Sequence, residues 1–181
     1  MRRAFVLLAL GALLCPGAAR AQDSGTRRLL GGLLGIGGHF LTSGSGQNAL
    51  GDVKFASDTQ LFVRPAHRGK LLITGGLEFF NASDHFLPFS GGNEFDLIGP
   101  SALVTTPRVL GKVRPFVSVG LFAGRVRSER LGFDRTDLTP SLAFGAEWPF
   151  ARYFTLSASY RVSEEIHGVN TDGFTLLLRI F

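Results

Sequence analysis

Tyr153-Phe154-Thr155-Leu156-Ser157-Ala158-Ser159-Tyr160-Arg161-Val162 alternates without a break. Phe154, Leu156, Ala158, Tyr160 and Val162 fall on one side and Tyr153, Thr155, Ser157, Ser159 and Arg161 on the other, which is the period of two of a strand with unlike faces. One face suits lipid and the other a polar interior. Just before it, Leu138, Leu142, Phe144, Ala146 and Trp148 share one face against Thr139, Ser141, Ala143, Gly145 and Glu147, and Pro149 to Arg152 is short enough to be a turn. Helical periodicity fails along the chain, because Gly or Pro interrupts almost every window before apolar residues recur at three and four.

Working outward, the same alternation predicts further strands. Lys70 to Asn81 sets Leu71, Ile73, Leu77 and Phe79 against Thr74, Gly76 and Glu78; Val53 to Arg64 sets Phe55, Leu61 and Val63 against Lys54, Asp58, Gln60 and Arg64; Lys112 to Val126 sets Val117, Val119, Leu121 and Ala123 against Ser118, Gly120 and Gly124. Gly31 to Leu41, Glu94 to Thr106 and Thr171 to Phe181 bring the count to eight, each near the ~10 residues of a tilted membrane-crossing strand. Pro100 lacks a ladder donor and predicts a bulge or an early strand end. Short links around 65–69, 107–111 and 149–151 alternate with longer polar ones around 42–52, 82–93, 127–134 and 163–170. Short turns on one side and long loops on the other, with both termini on the short-turn side, is the pattern of an outer-membrane barrel. Phe62, Phe116, Trp148, Phe150, Tyr153 and Phe181 gather at the short-turn end and Phe40, Phe79, Phe80, Phe95, Phe122 and Phe174 at the other, as two interfacial belts would.

Met1, Arg2 and Arg3, the apolar stretch Ala4 to Leu14, and small residues at Ala19 and Ala21 form an export signal expected to be cut after Ala21. Residues 1–21 are therefore expected to be a cleaved leader and 22–181 one barrel domain in the outer membrane. Cys15 falls in the leader, so the mature chain is expected to hold neither disulfide nor thiolate chemistry. Arg2, Arg3 and Arg20 supply three of the five net positive charges, leaving +2 for the mature part. That is too small an excess to point to nucleic acid.

The chain resembles the small outer-membrane barrel family that includes OmpA transmembrane domains, OmpX and the opacity-type proteins. The resemblance rests on Arg114-Pro115-Phe116-Val117-Ser118-Val119-Gly120, on Pro140 to Trp148, on Leu156-Ser157-Ala158-Ser159-Tyr160-Arg161 and on the terminal Phe181. It implies an eight-stranded antiparallel transmembrane barrel, non-enzymatic, structural or adhesive through its outer loops. It also implies that Phe181 is an assembly signal read by the barrel-assembly machinery. The last strand departs from the family pattern: counting back by two from Phe181 gives Arg179, Leu177 and Thr175, whereas the apolar series is Ile180, Leu178, Leu176 and Phe174. Either the final residue is kinked or the inner face is unusually apolar.

An eight-stranded barrel is filled by its own side chains, so Lys54, Asp58, Arg64, Glu78, Glu147 and Arg161 are expected to form a paired interior network without an open pore. Arg125, Arg127, Arg130 and Arg135 at the outer end of a hairpin suit lipopolysaccharide phosphates, or pair with Glu129, Asp134 and Asp137 in solvent. His167 faintly resembles the His-x-Ser-Asn element of lipid A deacylases, but Val169 stands where the serine belongs and Ser163 would have to substitute. His39, His67 and His85 lack metal-ligand spacing. No cofactor is expected, and a monomer in contact with lipid and lipopolysaccharide is. A lipid A hydrolase, a narrow channel and a soluble periplasmic ligand-binding barrel are the alternatives.

Overall fold

The computed structural model describes residues 30–180 apart from 64–65, 69, 86–91, 108 and 110–111. The expected leader (1–21), Arg64 and Phe181 lie outside the described residues. Nine strand segments follow in order: β1 (Leu30–Leu41), β2 (Val53–Val63), β3 (Ala66–Arg68), β4 (Leu71–Ser83), β5 (Glu94–Thr105), β6 (Arg114–Ser128), β7 (Phe133–Pro149), β8 (Phe154–Ser163) and β9 (Gly173–Ile180). β2 pairs β4 and the three-residue β3 continues that partnership, so the two segments serve as one strand. Each neighbour along the chain then pairs antiparallel, and β1 pairs β9 from Leu34↔Ile180 to Leu41↔Gly173. The result is a closed eight-stranded antiparallel barrel. Closure pairs each strand on both sides around the middle of the wall, which hydrocarbon demands because an unpaired backbone group there costs several kcal/mol.

The outward face is apolar around the wall. Leu61, Leu77, Ile98, Val117, Val119, Leu121, Leu142, Phe144, Val162, Leu176 and Ile180 are all exposed. Among the described residues no helix is long and apolar enough to cross a membrane. β9 resolves its phase: Phe174, Leu176 and Ile180 face out, while Thr175, Leu177 and Arg179 are buried. Its inner face is thus mixed, and it carries a charge to the interior.

Three expectations change. Pro100 produces neither a bulge nor an end: β5 runs through it, keeping one register with β6 on both sides (Ile98↔Ala123, Ser101↔Gly120). Only the pairing at residues 99–100 is interrupted, on the edge where proline has no N–H to give. The link around 127–134 shortens to a four-residue turn, 129–132, since β6 reaches Ser128 and β7 starts at Phe133. The aromatic belts are thinner than the sequence suggests, because Phe80, Phe95, Phe116 and Phe122 are inside the barrel, each at most 4% exposed.

The interior divides into two halves. Toward the long-loop end, Phe80, Phe95, Phe122, Leu97, Val126 and Leu177 form an apolar core. The loop after β1 folds into a short helix, α1 (Gly44–Leu50), capped by Ser43, whose side chain accepts from the Gly46 N–H. α1 lowers Ala49 and Leu50 onto that core, and Ile166 and Val169 descend from the β8–β9 loop to meet them. Gly124 makes this seat possible, since a Cβ there would stand 2.7 Å from the Ile166 Cδ1. The other half of the interior is polar.

Candidate functional site

Two polar constructions stand out, one inside the barrel and one across its long-loop end. The interior network is centred on Arg179, a residue sequence reasoning left out. Its Nη2 donates to Asp58 Oδ2 at 2.8 Å and its Nη1 to Glu147 Oε1 at 2.6 Å, linking β9 to β2 and β7. Gln60 Nε2 adds a 3.2 Å bond to the same Asp58 oxygen. Arg161 on β8 pairs with Glu78 on β4 and lies over the Phe80 ring with its Cζ 4.6 Å from the centroid. Stacking uses the face of the guanidinium and ion pairing its edge N–H groups, which is why arginine suits such a site. Glu78, Asp58, Glu147, Arg161 and Arg179 are each at most 7% exposed.

Lys54 does not join this group. It points inward from β2 near the outer rim and pairs with Asp84, in the loop after β4. Arg179 could have been found by trusting the Phe174-Leu176-Leu178-Ile180 series over the terminal aromatic. Asp84 could not, because its loop position carries no periodic signal.

The outer construction ties the four long loops together. Asn93 Nδ2 donates to Asp84 Oδ2 at 3.0 Å, and Asn93 Oδ1 accepts from the backbone N–H groups of Glu129 (2.9 Å) and Arg130 (3.3 Å). Ser128 Oγ donates to the carbonyl of Ala49 in α1 at 2.5 Å, and Ser43 Oγ to that of Asn170 at 2.6 Å. Asn170 N–H returns a 3.1 Å bond to Ser45 Oγ. Burial works against ionising Asp84, but hydrogen bonds from Lys54 and Asn93 outweigh it and hold its carboxyl below the ordinary aspartate value. These hydrogen bonds thus clasp the described parts of the loops above the apolar cluster.

The four arginines lie at the same end: Arg125 and Arg127 on the outward parity of β6, Arg135 opposite the core residue Val126 on the inward parity of β7, and Arg130 in the turn between them. Arg125 is bidentate to Asp134, with Nε–Oδ1 at 2.7 Å, and its Nη1 is 3.5 Å from Glu94. Arg127 lies 3.6 Å from Glu129 and 3.9 Å from Glu94. Glu94, Asp96, Glu129 and Asp134 outnumber the two guanidiniums they surround, so this cluster offers no net attraction to phosphate. Arg130 and Arg135 are exposed and have no ionic partner among the described residues.

The serine–histidine arrangement of an ester hydrolase does not assemble. Ser163 Oγ bonds Ser141 Oγ at 3.1 Å, while the half-exposed His167 ring lies 3.9 Å from Asp137 and makes no hydrogen bond to a serine among the described residues. His39 is buried, bonded to Thr175 Oγ1 at 2.8 Å and to the Thr171 carbonyl at 3.2 Å, and set edge-on to Phe80. Both ring nitrogens are occupied, so it has a structural part. No cluster of three potential metal ligands exists among the described residues.

The barrel has a solved counterpart. The crystal structure of Neisserial surface protein A (NspA) is similar, with a TM-score of 0.51 and 14% identity over 84% of this chain and 97% of that one. At that identity the likeness is one of fold: a small closed barrel. No family model and no curated protein matches the chain.

Proposed function

We propose that the protein is a non-enzymatic outer-membrane barrel that displays a rigid loop cap at the cell surface. The observation that carries this reading is the pairing of a closed, outwardly apolar wall with an apolar cluster at the long-loop end, to which α1 and the Ile166–Val169 turn contribute and above which Asn93 and Ser128 clasp the loops. An apolar cluster there disfavours conduction, and pre-ordered loops lose little entropy on contact with another surface. Contact with lipopolysaccharide phosphates falls to Arg130 and Arg135, because Arg125 and Arg127 are held by carboxylates. Replacing Arg130 and Arg135 with Gln is expected to weaken lipopolysaccharide binding in reconstituted vesicles, and unchanged binding removes that part of the reading.

The orientation and location are tested together by cysteine labelling on intact cells. Leu131 at the β6–β7 tip is 58% exposed and Val109 at the opposite end 50%. Leu131→Cys is expected to react with a membrane-impermeant maleimide and Val109→Cys only after lysis, with the parent chain as control. Labelling of Val109→Cys on intact cells, or of neither variant in the outer-membrane fraction, overturns the reading.

A further inference from the structure

Charge is distributed unevenly between the two ends of the barrel. The long-loop connections carry Asp52, Asp84, Glu129, Glu164, Glu165 and Asp172, whereas the three short connections, taken with the adjoining strand ends as Phe62 to Ile73, Leu103 to Val117 and Trp148 to Leu156, contain no Asp or Glu. What they do contain is basic. Lys70, Lys112 and Arg152 are exposed in the turns that precede β4, precede β6 and follow β7, and none has a carboxylate partner among the described residues. Arg152 lies with its Cζ 5.2 Å from the centre of the Tyr153 ring.

These side chains stand beside the aromatic rim of the wall. Trp148, Phe150, Tyr153 and Phe154 are each between 37% and 51% exposed, with Trp148 and Phe150 5.9 Å apart. An outward aromatic rim marks the depth at which hydrocarbon gives way to headgroups. Unpaired cations one turn beyond it sit at the depth of lipid phosphates, with stems long enough to reach them. The three turns are separated by intervening hairpins around the circumference, so their charges form a ring in one plane. A folded partner would need a patch on one side; a ring in one plane matches a bilayer surface.

We infer that the short-turn end of the barrel binds anionic glycerophospholipid headgroups in the leaflet it faces, through Lys70, Lys112 and Arg152. This rests on the membrane reading of the wall. The ring selects lipid by charge and is weakened by salt, whose screening length falls from about 8 Å at physiological strength to about 3 Å at 1 M.

Trp148 is the single tryptophan and lies within this rim, so it reports on the lipid beside the ring. The full chain is refolded into phosphatidylcholine vesicles containing phosphatidylglycerol, with either one or the other lipid brominated, and Trp148 quenching is compared. Phosphatidylglycerol is expected to be preferred about fivefold, the effect of one basic side chain near a headgroup. The preference should fall toward unity in high salt and in the Lys70→Gln, Lys112→Gln, Arg152→Gln variant, whose substitutions are all in exposed turns. Equal quenching by both lipids in the parent chain, or an undiminished preference in the variant, overturns the inference. Quenching by neither lipid overturns the membrane reading beneath it.

Discussion

Arg179→Met isolates what the interior network contributes. Arg179 is 4% exposed and holds two carboxylates, Asp58 at 2.8 Å and Glu147 at 2.6 Å, from the strands two places away on either side of β9. Methionine keeps most of the side-chain length and removes the charge, leaving both carboxylates buried without a counterion. Removing one partner of a buried pair costs about 3–5 kcal/mol, and the upper part of that range is expected because two anions are stranded at once. The assay is urea unfolding of the protein in vesicles, followed by Trp148 fluorescence and by the mobility shift between folded and heated protein on detergent gels. The companion variant adds Asp58→Asn and Glu147→Gln, which removes the stranded charges. It should recover most of the loss, since a buried ion triad replaced by neutral groups of similar volume is often close to neutral in stability. The reasoning fails if Arg179→Met lies within about 1 kcal/mol of the parent, below the 3–5 kcal/mol expected, or if the triple variant is no more stable than the single.

Asn93→Ala should open the cap without unfolding the barrel: two amides and one Asp84 oxygen lose a partner, at about 1–3 kcal/mol, so trypsin cleavage after Arg130 should rise roughly tenfold or more while the unfolding midpoint stays put. An unchanged cleavage rate would mean that the clasp is not what orders the β6–β7 tip. Acidification should loosen the same clasp through Asp84. Its folded value lies below the ordinary 3.8, so the stabilisation is fully present above 3.8 and is lost as pH falls through the folded value. The Asn93 N–H, which donates to Asp84 Oδ2 at 3.1 Å, should therefore lose its protection from exchange below pH 3.8 in the parent chain and show no such transition in Asp84→Asn. A transition retained in that variant would assign it to another group.

The parts of the fold that could be read beforehand are those whose two faces meet different surroundings. In β7 and β8 every second residue must satisfy lipid and every other one the interior, so the alternation of Leu142, Phe144 and Trp148 against Ser141, Ala143 and Glu147 is forced into the sequence itself. The same logic picks out Lys54, Asp58, Glu78, Glu147 and Arg161 as inward-facing. It weakens where both faces are apolar. On β4, Phe79 and Phe80 are identical in type, yet Phe80 is 1% exposed inside the core while its neighbour takes the outward position. Nothing in composition separates an interfacial phenylalanine from a core one; parity does, once the register is known. α1 was illegible for a different reason. Seven residues with two glycines have no helical periodicity to show, and the helix persists because Ser43 caps it and the core beneath accepts Leu50.

Taken alone, then, the sequence determined the strand count, the alternation of short turns and long loops, and the chemistry of each wall face, because burial in lipid or in the barrel acts on every second residue within a strand. Which charges meet was decided only by closure. Asp58 and Arg179 are 121 residues apart and Glu78 and Arg161 83 apart, and no local pattern records a distance across a barrel. The cap belongs to the tertiary structure for the same reason: Ala49 in α1, Asp84 and Asn93 in the β4–β5 connection, and Ser128 at the end of β6 come from three separate parts of the chain, and the barrel brings them to one end.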